Sequence, residues 1–81
     1  MDINIKNFIK SLTSKNGMTL TKLAKLLEER TGKHYTLASL TSKMKIKSLS
    51  LYEAYLIADI LDYKIKFYKE SADGREEIFF P

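Results

Sequence analysis

The hydrophobic periodicity of this chain changes once, after Asp62, and that change limits the folds available to it. Up to that point, apolar residues recur three and four positions apart, which is the spacing of one face of an α-helix. Beyond it, Ile65 and Phe67 alternate with Lys64 and Lys66, which is the pattern of a half-buried β-strand. The sequence therefore predicts a mainly α protein with a small β element (α+β), in which four to five short helices precede a β-hairpin.

Two helices are predicted at the start of the chain. The first lies within residues 2–16, with Asp2 or Asn4 as its N-cap and Asn16-Gly17 as its stop. Its apolar face comprises Ile5, Phe8, Ile9 and Leu12. The second begins after Thr19, whose hydroxyl can cap it, and ends at Thr31-Gly32. Its apolar face comprises Leu20, Leu23, Ala24 and Leu27.

Two further helices are predicted, each opened by a hydroxyl side chain. The third begins at Thr36, and the fourth at Ser50, which has capping-box spacing with Glu53. The buried face of the third comprises Leu37, Leu40 and Met44, and its opposite side is small, polar or cationic: Ala38, Ser39, Ser42, Lys43 and Lys45. The fourth has a core stripe of Ala54, Ile57, Ala58 and Leu61 and a second apolar stripe of Tyr52, Leu56 and Ile60.

The segment from Lys43 to Leu51 is compatible with two structures. It alternates without a break (KMKIKSLSL), which indicates a strand, whereas the residues ahead of it are spaced as a helix. One interpretation places a sheet edge here. The other places the end of a helix, a loop and the cap of the next helix.

The segment after Asp62 is predicted to form one hairpin. Its strands are Tyr63 to Glu70 and Arg75 to Phe80, and Asp73-Gly74 between them is a tight-turn dipeptide. A two-stranded hairpin is marginal in water on its own, so it is expected to bury one face against the fourth helix, through Ile65, Phe67, Ile78 and Phe80. No repeat or linker interrupts the chain, which predicts a single domain over 1–81, with a helical core at 2–62 and the hairpin at 63–80.

Charge is distributed unevenly along the chain. Residues 1–50 hold nine lysines and one arginine against three acids, a net +7. Residues 51–81 hold three lysines and one arginine against seven acids, a net −3. A basic half of this kind favours a polyanionic partner, since lysines that neutralise phosphates release counterions. The alternative is an ordinary solvated, lysine-rich surface.

Several classes of function are disfavoured by what the chain contains. It has no cysteine and a single histidine, His34, so no thiolate metal site, nucleophilic cysteine or histidine-based catalytic group is expected. Glu28 and Glu29 are helix neighbours that point in different directions, which does not suit acid–base catalysis. No apolar run approaches the ~18 residues that a membrane span needs. We therefore expect a cytoplasmic, nucleoid-associated protein that is not an enzyme and needs no cofactor or small-molecule effector.

Three segments carry a resemblance to a known family. The run GMTLTKLA at 17–24 resembles the opening of the helix-turn-helix in the Cro and phage-repressor class, also called the xenobiotic-response-element family. The run TLASLTSKM at 36–44 resembles its recognition helix, and EAYLIADIL at 53–61 resembles its later helix. Within that class the chain is most similar to small phage-associated regulators whose last helix runs into a strand, here DYKIKF at 62–67. The resemblance also favours a loop at 45–50.

The resemblance implies a repressor-like transcriptional regulator of phage or mobile-element type, which binds double-stranded operator DNA as a homodimer through the helix at about 36–45. The chain departs from the family pattern at Leu20, where a phosphate-binding Gln is usual, and at Leu37 and Ala38, where Gln often reads adenine. The expected base contacts are Ala38, Ser39, Ser42 and Lys43. The expected phosphate contacts are Thr19, Thr21, Lys22, Lys33, Tyr35, Thr36, Lys45 and Lys47.

The hairpin is expected to join two copies of the chain. The packing of the hairpin on the fourth helix would leave Tyr68, Phe79 and the helical stripe of Leu56 and Ile60 uncovered. The predicted dimer interface comprises these residues and the adjoining ends of the packed face: Leu56, Ile60, Phe67, Tyr68, Ile78 and Phe79. In an alternative, Lys64, Lys66 and Lys69 make the hairpin a DNA-contacting wing. An alternative function is a protein-interaction module, such as an antitoxin or phage accessory factor, on the same fold.

Overall fold

The structure is a computed structural model, and it describes residues 2–81. Its elements in chain order are α1 (Ile5–Lys15), α2 (Leu20–Thr31), α3 (Leu37–Lys45), α4 (Leu51–Ile60), β1 (Ile65–Ser71) and β2 (Gly74–Phe80). The two strands form one antiparallel sheet. The predicted α+β class, with four helices and a hairpin, is therefore confirmed. Within the described part of the chain, no helix is both long and apolar enough to cross a membrane.

Each helix begins where a side chain can accept a hydrogen bond from an amide of its first turn. Asn4 caps α1, Thr19 caps α2, and Thr36 and Ser50 form capping boxes with Ser39 and Glu53. The helix α2 ends at Gly32, which takes the left-handed φ of 72°. The predicted caps of the second, third and fourth helices are confirmed. For the first helix, the structure selects Asn4 over Asp2.

The segment after α3 is a loop, so the strand interpretation of Lys43 to Leu51 is wrong. Lys47 has a φ of 59°, which breaks an extended conformation, and the Ser48 amide donates to the carbonyl of Lys43 at 2.9 Å. These bonds use the last carbonyls of α3, as the ends of helices commonly do. The alternation in the sequence is therefore a coincidence of a helix end, a loop and a cap.

The core lies between the four helices, where α3 packs against α1 and α2, and α4 packs against α2. Its fully buried large side chains are Leu23, Leu27, Leu40, Met44 and Ile57. Two residues predicted to be buried are exposed instead: Phe8 by 61% and Leu37 by 45%. On α1 the buried residues are Ile9 and Thr13, four positions apart, and Phe8 lies to the side of that line; the buried Thr13 hydroxyl is satisfied because it donates to the carbonyl of Lys10. Leu37 lies in the first turn of α3, at the edge of the core.

The hairpin packs on the helices only near its base. Ile65 pairs with Phe80, and the Phe80 ring meets the Tyr55 ring edge-on at 5.7 Å between centroids. The next pair on the same face, Phe67 and Ile78, is more than half exposed, so the predicted burial of this whole face against α4 is wrong. The reason is that no helix packs closely against the strands beyond their base. The turn residues are 72 and 73, one position earlier than predicted.

Candidate nucleic-acid interface

The outward side of α3 follows from the helical repeat. With 3.6 residues per turn, burial of Leu40 and Met44 turns the side chains of Ala38, Ser42 and Lys45 away from the core, and all three are exposed. We call these three residues the outer face of α3. Two of the four predicted base contacts, Ala38 and Ser42, lie on it. The outer face carries one cation and no acid, and its small side chains would let the helix backbone approach the floor of a DNA major groove.

A groove runs along one flank of α3, and we call it the basic groove. It is lined by parts of three helices, among them Lys6 and Lys10 of α1, Thr19 and Thr21 of α2, and Leu37 and Thr41 of α3. The predicted phosphate contacts Thr19 and Thr21 are thus brought beside the start of α3, and Lys22 is exposed in the same first turn of α2. The first-turn amides of a helix and nearby ammonium groups both favour a phosphate.

Sequence reasoning missed two lysines of this groove. Lys6 and Lys10 lie four residues apart on α1, beside the buried Ile9, so a helical repeat places them on one flank. The spacing of the two lysines can be read from the sequence. The side of α1 that faces α2 and α3 cannot be read from it.

A second depression continues the positive surface beyond the end of α3. It is lined by Lys45 and Lys47 together with Lys6 and the start of α1, so Lys6 borders both depressions. The Lys47 ammonium lies 2.9 Å from the Asp2 carboxylate, and both groups are largely exposed. Exposed pairs of this kind contribute about 0–1 kcal/mol, so Lys47 can exchange Asp2 for a phosphate at little cost. Lys45, Lys47 and Lys6 therefore share one stretch of surface, and the two predicted phosphate contacts among them remain predictions.

Four other residues that were predicted to contact DNA are already bonded to groups of the protein itself. Tyr35 is 8% exposed and its hydroxyl donates to Glu53, so the prediction that it contacts phosphate is wrong. The hydroxyls of Thr36 and Ser39 are both used in the capping box of α3, and the Ser39 hydroxyl also donates to the Thr36 carbonyl. Lys43 is bonded to Glu53. Lys33 is exposed in the turn before α3, beside Tyr35 and Lys43 and outside the basic groove.

Glu53 is the centre of a cluster that also contains Tyr35, Lys43 and Ser50, which we call the Glu53 cluster. The Glu53 carboxylate accepts hydrogen bonds from the Tyr35 hydroxyl and the Lys43 ammonium, each at 2.8 Å, and from the Ser50 amide at 2.9 Å. Burial by itself raises the pKa of Glu53, but these bonds outweigh it and lower the pKa to about 2. Burial and the bond to Glu53 raise the pKa of Tyr35 to about 12. The carboxylate is therefore charged at neutral pH and fully paired.

The predicted dimer residues fall into two groups. Leu56 is only 6% exposed because it faces the helical core, so its assignment to an interface is wrong, and Ile60 is partly buried against the same core. Phe67, Tyr68, Ile78 and Phe79 are each about half exposed. The register places Phe67 and Ile78 on one face of the hairpin, with Tyr68 and Phe79 on the other. The hairpin thus offers apolar surface on both faces.

Protonation of Glu53 should destabilise the fold in acid. The pKa of Glu53 falls from 4.5 to about 2 on folding, so its stabilisation is complete above about pH 4.5 and is lost as the pH falls toward 2. We expect roughly 2 kcal/mol of this stabilisation to be lost between about pH 6 and about pH 3. Urea unfolding of the protein and of Glu53→Gln at both pH values measures it. An equal loss in the two proteins would assign the acid sensitivity to other carboxylates.

Among residues 2–81, no group of three or more His, Asp or Glu is arranged to hold a metal ion. Comparison of the chain with protein-family models, with curated proteins and with solved structures finds no match.

Proposed function

We propose that this protein is a regulator that binds double-stranded operator DNA as a homodimer, with α3 in the major groove. The observation that carries the proposal is the small, cationic outer face of α3, next to which two adjoining depressions are lined by Lys6, Lys10, Lys45 and Lys47. A major groove about 12 Å wide accepts a helix with such a face, and lysines along its flank would meet phosphates at the edge of the groove.

The proposal assigns different tasks to the exposed residues of α3. Ser42 can donate to or accept from a base edge, and Ala38 and the exposed Leu37 can contact a thymine methyl group. The lysines and the first turn of α2 contact phosphates, which positions the helix without reading sequence. Because one hydroxyl and two apolar side chains make few base contacts, a single copy discriminates poorly among sequences.

A second copy of the chain would supply the missing specificity. Two-fold pairing through the hairpins covers Phe67 and Ile78, and it places two α3 helices where each can read half of a palindromic site, about 34 Å apart. In the wing alternative, the hairpin lysines contact phosphates instead. Residues 63–80 carry four cations and four acids, and Lys66 lies 3.3 Å from Glu77, so the hairpin offers little net attraction to DNA.

The exposed hairpin side chains also favour a second candidate function, a protein-interaction module such as an antitoxin or phage accessory factor. In that case, the surface of Phe67, Tyr68, Ile78 and Phe79 binds a different protein. The isolated chain would then be a monomer, and its binding to DNA would show no preference between sequences. The DNA selection described next and the light scattering described in the Discussion separate the two functions.

Selection from a library of random DNA duplexes tests the proposed function directly. We expect rounds of binding at moderate salt to enrich a sequence with two related half-sites whose centres are about one helical turn apart. The same protein should bind unselected duplex more weakly and with a strong dependence on salt. Absence of duplex binding at low salt, or an unenriched pool after repeated rounds, would contradict sequence-preferring binding.

The role of Lys45 can be measured on random-sequence DNA. Lys45→Ala should remove one phosphate contact and flatten the plot of log affinity against log salt by about 0.9. Lys69→Ala, at the far end of the hairpin, removes the same charge from a site that the proposal turns away from DNA, and it should leave the slope unchanged. Equal flattening by both variants would favour the wing alternative.

A further inference from the structure

We infer that Lys43 positions α3 within the protein and is not a DNA contact, because its ammonium group is bonded to Glu53 on α4, which also accepts a bond from the Tyr35 hydroxyl. The consequence for DNA binding rests on the proposed function: Glu53 keeps one lysine of α3 away from the DNA. This inference reassigns Lys43, which the sequence pattern places among the base contacts.

Lys43 links α3 to α4. The helix α3 packs against α1 and α2, whereas α4 packs against α2. The direct polar link from α4 to α3 is the 2.8 Å bond between the Lys43 ammonium and the Glu53 carboxylate. Glu53 is itself fixed, because its other oxygen accepts from the Ser50 amide at the start of α4. Lys43 therefore anchors the last turn of α3 to a rigid point.

Tyr35 extends the same anchor to the start of α3. Its hydroxyl reaches Glu53 at 2.8 Å, its ring lies under the Lys43 ammonium at 5.6 Å, and its amide donates to Glu28 of α2 at 3.0 Å. The next residue, Thr36, is the N-cap of α3. Both ends of the helix are thus tied to one carboxylate, which fixes the direction in which the outer face points.

Burial makes this bond costly to exchange for a DNA phosphate. The Glu53 side chain is 8% exposed, and Lys43 supplies one of the bonds that balance its buried charge. The Lys43 side chain is itself 41% exposed, so the cost falls on Glu53: if Lys43 moved to a phosphate, the buried carboxylate would lose its cation. The pair of Lys47 and Asp2 carries no such cost because both side chains are at least half exposed. Lys47 can therefore bind a DNA phosphate, whereas Lys43 remains bonded to Glu53.

Salt-dependent binding to random-sequence duplex DNA tests the inference. Lys43→Gln should leave the log–log salt slope unchanged, in contrast to Lys45→Gln, which should flatten it by about 0.9. Glu53→Gln should release Lys43 toward the phosphates and steepen the slope by up to about 0.9, and the double variant Glu53→Gln/Lys43→Gln should restore the original slope. A merely structural role for Glu53 would not produce a steepening that Lys43→Gln reverses. Flattening by Lys43→Gln as large as that by Lys45→Gln would overturn the inference.

Hydrogen exchange in the absence of DNA tests the anchoring role of Glu53 independently of the proposed function. Loss of the anchor in Glu53→Gln should speed amide exchange across residues 33–45 at least several-fold while leaving α1 unchanged, and Lys45→Gln should have no effect. Lys43→Arg, which retains the charge and can still donate, should exchange more slowly than Lys43→Gln. Unchanged exchange in Glu53→Gln would overturn the anchoring role. Failure of the unaltered protein to bind DNA, with exchange as expected, would overturn only the proposed function.

Discussion

Ser42→Glu is expected to abolish sequence-preferring DNA binding while leaving the fold intact. Ser42 is exposed at the middle of the outer face of α3, so a carboxylate there would face the phosphates and base edges of the groove. Like charges brought together at an interface cost several kcal/mol, which corresponds to a loss of at least roughly 100-fold in affinity. A gel shift or fluorescence anisotropy on the selected duplex measures the loss.

The matched control is Ser11→Glu, which introduces the same charge at an exposed position of α1. Ser11 lies on the side of that helix away from Ile9 and outside the residues that line the basic groove. Both variants should unfold within about 0.5 kcal/mol of the original protein, since exposed substitutions of this kind rarely change stability by more. Normal DNA binding by a natively folded Ser42→Glu protein would show that α3 does not lie in the major groove.

Phe67→Asp is expected to convert the homodimer into a monomer and to reduce affinity for a two-half-site operator by on the order of 100-fold, since linked binding of two modules gains about that much. Phe67 is 57% exposed beside Ile78, and a carboxylate buried at the junction of two copies would lose its hydration. Light scattering at micromolar concentration should give a mass near twice 9.4 kDa for the original protein and near 9.4 kDa for the variant.

Ser71→Asp is the control for this experiment, because it adds the same charge to the same strand at the turn end, where Ser71 pairs with Gly74. It should remain dimeric. Binding to a single half-site should be similar for all three proteins, since none of the changes lies near α3. The dimer proposal fails if the original protein has the mass of one chain at micromolar concentration and still binds its selected operator tightly.

The two experiments test separate surfaces. Ser42→Glu should lose DNA binding and keep the dimer mass, and Phe67→Asp should lose the dimer mass and keep weak binding to DNA. Loss of both properties in either variant would mean that the helical core and the hairpin depend on one another. The structure gives no reason to expect this, because the hairpin meets the helices mainly at the pair of Tyr55 and Phe80.

Part of the candidate site was readable from the sequence. The boundaries of α3 and the exposure of Ala38 and Ser42 follow from a capped helix whose apolar residues recur at the helical spacing. The basic groove was only half predicted: Thr19 and Thr21 were assigned, and Lys6 and Lys10 were not. The difference is that the first pair belongs to a local helix start, whereas the second pair depends on how α1 is rotated against its neighbours.

The sequence by itself determined the local structure: the caps at Thr19, Thr36 and Ser50, the stop at Gly32 and the existence of the hairpin. Each of these is decided by hydrogen bonds or backbone preferences among residues a few positions apart, and all of them can be read along the chain. The extent to which the hairpin packs on the helices cannot be read along the chain, since it depends on contacts between elements that are distant in sequence.

The tertiary structure alone decided which of several plausible side chains face inward. Thr13 took a core position and Phe8 did not, Leu56 joined the core, and Tyr35 and Lys43 converged on Glu53 from 18 and 10 residues away. An apolar stripe or a lysine has the same local pattern whether it meets another helix or solvent. Its fate depends on the rotation and spacing of packed helices, where burying a charge is tolerated only if distant residues can pair with it.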